Sequence, residues 1–123
     1  MPRPFDLRER SELFACEVVG FCRLVADRGL ILRRLAVQLL DLGTSVGANL
    51  AEGRGGQSKR DFVAKTYIAL KEARETKYWL DVIGKSEPPL QQQASLLSAE
   101  ASELIAILTV TLKTAQSNPN RGQ

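Results

Sequence analysis

Residues suited to gripping phosphate or stacking on flat rings are concentrated between positions 54 and 78: Arg54, Lys59, Arg60, Tyr67, Lys71, Arg74 and Tyr78. Over 54–77, seven basic residues (those five plus Lys65 and Lys77) stand against three acidic ones, Asp61, Glu72 and Glu75. That stretch carries +4 while the whole chain carries +3, so the remainder sums to −1. Arg60, Tyr67, Lys71, Arg74 and Tyr78 fall seven, four, three and four apart, which is one face of a helix. Basic side chains interleaved with tyrosines can neutralise phosphates and stack on unpaired bases. The same stripe suits a contact between subunits, or a solvated face whose long stems cover apolar surface. The residues leave these three uses open.

The turn Gly53-Arg54-Gly55-Gly56-Gln57-Ser58 invites comparison with a phosphate loop, because a helix N-terminus favours anions. No Gly-Lys-Ser/Thr follows at the required spacing and no strand precedes it, so a tight interhelical turn is the better expectation. Ser45, Asn49 and Glu52 line up four and three apart, and polar groups on such a line need partners if buried. The start of the next helix, around Ser58 and Asp61, is their expected partner. Histidine is absent, which removes the commonest acid–base group and zinc ligand. Cys16 and Cys22 point about 120° apart on a helix, too divergent for a shared metal, and read as small buried or half-buried thiols. No catalytic residue, metal site or cofactor is expected, and the chain reads as non-enzymatic.

Four helical segments must position these residues, at about 7–28, 31–52, 59–84 and 89–116, with a frayed polar tail at 117–123. Asp6 with Glu9 suggests a capping box for the first, whose apolar stripe is Phe14, Val18, Phe21 and Val25. The second carries Leu32, Leu35, Leu39, Leu42 and Val46. Beside them Gly43, Gly47 and Ala51 form a small-residue line that lets another helix approach. Ser58 caps the third, which runs through Thr66, Ala69, Ala73, Thr76, Leu80 and Ile83 and is expected to close at Gly84. Ser86-Glu87-Pro88-Pro89 is a turn. The fourth repeats Leu90, Ala94, Leu97, Ala101, Leu104, Leu108, Thr111 and Ala115; its 105–111 stretch, rich in β-branched residues, offers a strand as the local alternative. The expected fold is all-α, an up-down-up-down antiparallel four-helix bundle with left-handed crossings.

At 123 residues, 44% hydrophobic and 25% charged, the chain fits one soluble domain. The longest purely apolar run, Leu104 to Leu108, falls far short of the ~20 residues of a membrane span. The first residues lack the apolar segment of a signal peptide. A cytoplasmic protein without a membrane partner is expected.

The run Ser45-x-x-x-Asn49-x-x-Glu52-Gly53-x-Gly55-x-x-Ser58-x-x-Asp61-Phe62, followed by Ile68-Ala69 and Glu72, resembles the four-helix bundle family of 23S rRNA-intervening-sequence proteins. The resemblance follows the helix order over nearly the whole chain. One departure is Gly56, where the family usually has arginine; here the arginine is displaced to Arg54. The resemblance implies a homopentameric ring without enzymatic activity. Some members are encoded within insertions of large-subunit ribosomal RNA genes, and a distant relative assists the reverse transcriptase of diversity-generating retroelements. It therefore implies RNA, another single-stranded nucleic acid or a nucleic-acid-processing protein as company.

The fourth segment independently favours self-association. Leu104 and Leu108 serve the core, Ile105 and Leu112 form a second line, and Ile107 with Val110 form a third that one bundle leaves exposed. Ile107 and Val110 are therefore the candidate interface residues.

Overall fold

Asp6 opens the first helix, its carboxylate accepting a hydrogen bond from the Arg8 backbone N–H at 2.9 Å and so pairing a donor that a helix start leaves free. The computed structural model describes residues 6–55 and 58–117. Within them lie α1 (Leu7–Ala26), α2 (Leu30–Arg54), α3 (Lys59–Ser86) and α4 (Gln91–Ser117), with a 3-10 turn at Pro88–Leu90. The architecture is all-α, and no strand occurs among the described residues; 105–111 is helical. Gly29 joins α1 to α2 at φ 123°, a conformation that side chains rarely adopt. Ser58 caps α3, its hydroxyl accepting from the Asp61 N–H at 3.1 Å. Gly56 and most of the tail (118–123) lie outside the described residues.

Gly84 does not close α3. It is buried inside the helix, and a Cβ there would stand 3.0 Å from Cβ of Ala94 on α4. The missing side chain lets two helices close up, and α3 ends only where Pro88 and Pro89 follow. The small-residue line of α2 serves α1 in the same way. A Cβ on Gly43 would meet Val18 Cγ1 at 2.8 Å, and one on Gly47 would meet Ser11 Oγ at 3.3 Å. Ala51, farther along that line, is exposed.

Two apolar clusters fill the interior. Phe14, Phe21, Val25, Leu39, Leu80, Ile83, Leu97 and Leu104 belong to one, and Val46, Leu50, Ala69, Leu70, Ala73, Leu108 and Leu112 to the other. Leu7 packs against both. The seam of α4 differs from the expected one at a single step: Leu112 is buried where Thr111 was expected, and Thr111 turns its hydroxyl to the Ile107 carbonyl at 2.8 Å. Ala115 is buried as expected, so the seven residues from Leu108 are divided four and three instead of three and four, a step that a 3.6-residue helix allows.

Packing is extensive between α1 and α2, α2 and α3, and α3 and α4, and slighter between α1 and α4. Across that slighter contact Arg10 donates from Nε and Nη2 to both carboxylate oxygens of Glu100, at 2.7 and 2.9 Å. Glu100 is buried, and its hydrogen bond holds the Arg10 guanidinium above its ordinary pKa. The 88–117 stretch is long and apolar enough to cross a membrane by length and composition, but Leu97, Leu104 and Leu108 spend its apolar stripe on the core. Cys22 is buried, its Sγ donating to the Ala36 carbonyl at 3.4 Å, and burial pushes the thiol up to about 11. Cys16 is exposed, against the expectation of a covered thiol, because it sits on the α1 face opposite Val18.

Candidate nucleic-acid interface

The helical turn of 100° per residue puts Arg60, Tyr67, Lys71, Arg74 and Tyr78 on one line of α3, and all five side chains are exposed. Tyr67 is 58% and Tyr78 61% exposed, so both rings offer a free face. Tyr78 is braced edge-on by Trp79, ring centroids 5.1 Å apart, and Trp79 in turn packs against the core. Among the described residues, Arg60, Lys71 and Arg74 enter no ion pair; Lys71 and Glu75, which helical spacing would allow to pair, do not. Lys85, seven residues beyond Tyr78 and exposed, extends the line by two turns. Sequence reasoning missed it because α3 was expected to end at Gly84.

The other basic residues are spent elsewhere. Arg54, where α2 ends at the turn before α3, reaches Asp6 at the start of α1, 3.7 Å away, with both side chains about half exposed. Lys65 pairs with Glu52 of α2 at 2.9 Å, and Lys77 pairs with Asp81 at 2.9 Å. Lys59 is half-buried at the helix start. Burial pushes the Asp81 carboxyl up, but hydrogen bonds from Ser98 at 2.6 Å and from Lys77 outweigh it and hold the group below its ordinary value.

The motif line has partners other than those expected. Ser45 donates to the Asp41 carbonyl at 2.6 Å. Asn49 Nδ2 donates to the Ser45 carbonyl at 3.1 Å and, across to α3, to Glu72 Oε1 at 2.7 Å. Glu52 takes Lys65, and a Cβ on Gly53 would stand 3.0 Å from the Lys65 Cβ. The line therefore ties α2 to the interior of α3, and not to the helix start, where the Ser58 hydroxyl accepts from the Asp61 N–H. Gly55 caps α2, its N–H reaching the Ala51 carbonyl at 3.2 Å, and Phe62 is half-buried. Burial raises the Glu72 carboxyl, the Asn49 hydrogen bond opposes that rise, and the charge of Glu75 adds to it. Two polar joints went unread in the sequence, Asp81 with Ser98 and Arg10 with Glu100. Their only signal is a polar residue bordering the core stripe of α4, as Glu100 borders Ala101.

On α4, Val110 is 64% exposed and Ile107 half-buried. Leu96, Ala99, Glu103, Ala106 and Val110, spaced three or four apart, form an exposed outer line with one charge. No three His, Cys, Asp or Glu side chains gather into a metal-binding group among the described residues. The geometry supports phosphate attraction and ring stacking on α3 and apolar contact on α4.

The sequence profile of the 23S rRNA-intervening sequence proteins matches residues 5–110. Among solved structures, the chain is similar to a protein with unknown function from the S23 ribosomal protein family of Bacteroides thetaiotaomicron VPI-5482. The two share 31% identity and a TM-score of 0.80, over 88% of this chain and 99% of that one. No curated protein matches the chain. With a profile covering most of its length and a neighbour of the same fold, the chain belongs to the 23S rRNA-intervening sequence protein family.

Proposed function

We propose that this protein is a non-enzymatic, cytoplasmic, homo-oligomeric binding module that contacts RNA or another single-stranded nucleic acid through the outer stripe of α3. The observation that carries the reading is that Arg60, Lys71 and Arg74 are exposed and without an ion pair among the described residues, interleaved with two open tyrosine rings. Phosphates meet the cations and unpaired bases stack on the rings. The helices run up-down-up-down with left-handed crossings. The alternation is supported by residue numbers that fall on one helix as they rise on the next: Val18 and Ser11 against Gly43 and Gly47, Asp81 and Gly84 against Ser98 and Ala94. The hand of the crossings rests on the three-and-four apolar spacing. Assembly is a pentameric ring, as the family resemblance implies, with Ile107 and Val110 at a heterologous contact.

Fluorescence anisotropy of a labelled single-stranded RNA tests the binding. Affinity falls as salt rises, Lys71→Glu/Arg74→Glu weakens it, and Tyr67→Ala/Tyr78→Ala weakens it with charge unchanged. Binding indifferent to salt and to both variants overturns the reading. Light scattering of the wild type tests the ring, and a mass of 13.5 kDa rejects assembly outright. A second reading, a protein-only scaffold or adaptor whose stripe meets a subunit or partner, is favoured by Ile68, 40% exposed beside Tyr67. Recovery of a partner protein after nuclease treatment, with no RNA shift, selects it.

A further inference from the structure

The most exposed large aliphatic residues of the described chain are consecutive: Leu30 at 74% and Ile31 at 75%, at the corner where α1 turns into α2. Val37, two helical turns on from Leu30, is 56% exposed. Arginines surround them. Arg23, Arg33 and Arg34 are exposed and enter no ion pair among the described residues, whereas Arg28 is tied to Glu87 at 2.9 Å. With Glu87 answering Arg28, Asp27 is the other carboxylate in this stretch, so four arginines stand against two carboxylates. None of these side chains belongs to the α3 stripe or the α4 outer line.

We propose that this corner docks on the surface of an anionic phospholipid bilayer. Composition and spacing argue for a bilayer over an acidic protein partner. Leu30 and Ile31 open α2 and are about three-quarters exposed, and Arg33, Arg34 and Val37 follow Leu30 at three, four and seven residues, so one helix face joins aliphatics to cations as a headgroup and acyl boundary requires. Arg23, Arg33 and Arg34 then lie level with the lipid phosphates, their apolar stems running alongside the inserted residues. The proposal departs from the sequence-based expectation of no membrane partner, and it is independent of the RNA reading.

Co-sedimentation of the full chain with vesicles tests it, using phosphatidylcholine alone and phosphatidylcholine mixed with phosphatidylglycerol. The protein binds the mixed vesicles, less so as salt rises, and leaves the neutral ones in solution. Arg33→Glu/Arg34→Glu weakens binding by about thirtyfold or more, the fold-change for two basic residues at ~1 kcal/mol each. Leu30→Ser/Ile31→Ser weakens it with charge unchanged; both residues are exposed, so the fold survives, as circular dichroism verifies. Equal binding to neutral vesicles, unchanged binding of either variant, or capture of an acidic peptide without vesicle binding overturns the proposal. So does a lower mass of Leu30→Ser/Ile31→Ser in light scattering, which assigns the corner to a subunit contact.

Discussion

Replacing Gly43 by alanine sets helix propensity against packing, and the structure says which wins. In a helix interior the exchange gains about 1 kcal/mol from propensity alone. Gly20 of α1 measures that gain, because a Cβ there meets nothing within 4 Å. At Gly43 the new methyl would lie 2.8 Å from Val18 Cγ1, 3.0 Å from Cγ2 and 3.2 Å from Cβ. Val18 is fully buried and stiff at χ1, so it cannot swing away, and overpacking of this kind costs about 1–3 kcal/mol. Gly43→Ala should therefore be less stable than Gly20→Ala by about 1–3 kcal/mol, each measured against the wild type. Val18→Ala alone loses about 1.6 kcal/mol of transfer energy plus a cavity term. In Val18→Ala/Gly43→Ala the new methyl occupies the vacated space, so the cycle should couple favourably by at least about 1 kcal/mol. Urea unfolding followed by circular dichroism reads all four variants, at one protein concentration because assembly adds to apparent stability. If Gly43→Ala stabilises as much as Gly20→Ala and the cycle is additive, α1 and α2 do not meet at this contact.

Leu104→Ala, at a fully buried site touching the larger cluster, should cost about 2–5 kcal/mol in urea unfolding; a change within ±0.5 kcal/mol contradicts the placement. Glu72 binds its proton more tightly folded than unfolded, so its contribution is fully present below about 4.5 and is lost as pH rises through the raised native value. Glu72→Gln should flatten that decline, gaining on the wild type between pH 4 and 7; a pH-independent difference refutes it. In Cys16→Ser, the remaining Cys22 thiol should resist a thiol reagent until the protein unfolds, since burial holds its pKa at about 11. Rapid labelling of the native variant would place Cys22 at the surface.

Apolar spacing carried the fold. Leu39, Val46, Ala69, Ala73, Leu97, Leu104 and Leu108 are all buried, as their periodicity predicts, because three-and-four spacing defines a face whatever lies opposite. What lies opposite is not written in spacing. Gly84 has the residue type of a helix end, and only the approach of Ala94 explains it inside a helix. Thr111 fits the repeat better than Leu112, yet transfer energy favours burying the leucine of the two neighbours. The α3 stripe was legible up to Tyr78 because its members share one helix. The pairing of Arg54 was not legible, because its charge answers Asp6, 48 residues away in sequence and near in space. Contacts between helices, such as Arg10 with Glu100, follow from packing that no single helix specifies.

The Asn49–Glu72 bond shows how the motif and the outer stripe depend on each other. Glu72 is the neighbour of Lys71, one step of 100° around α3, so fixing Glu72 against α2 fixes the rotation that turns Lys71, Arg74 and Tyr78 outward. Asn49→Ala removes the donor and leaves a half-buried carboxylate beside Glu75 without that partner. Losing a hydrogen bond to a buried polar group costs about 1–3 kcal/mol, with the larger part of the range for a charged acceptor. The bond favours the ionised form, so its loss raises the native Glu72 value further and the penalty must grow as pH rises through the carboxylate range. Asn49→Ala should therefore cost more at pH 7 than at pH 4 in urea unfolding, and Asn49→Ala/Glu72→Gln should remove most of the difference. A penalty equal at both pH values would mean that Asn49 acts through packing and its bond to Ser45, with Glu72 a bystander.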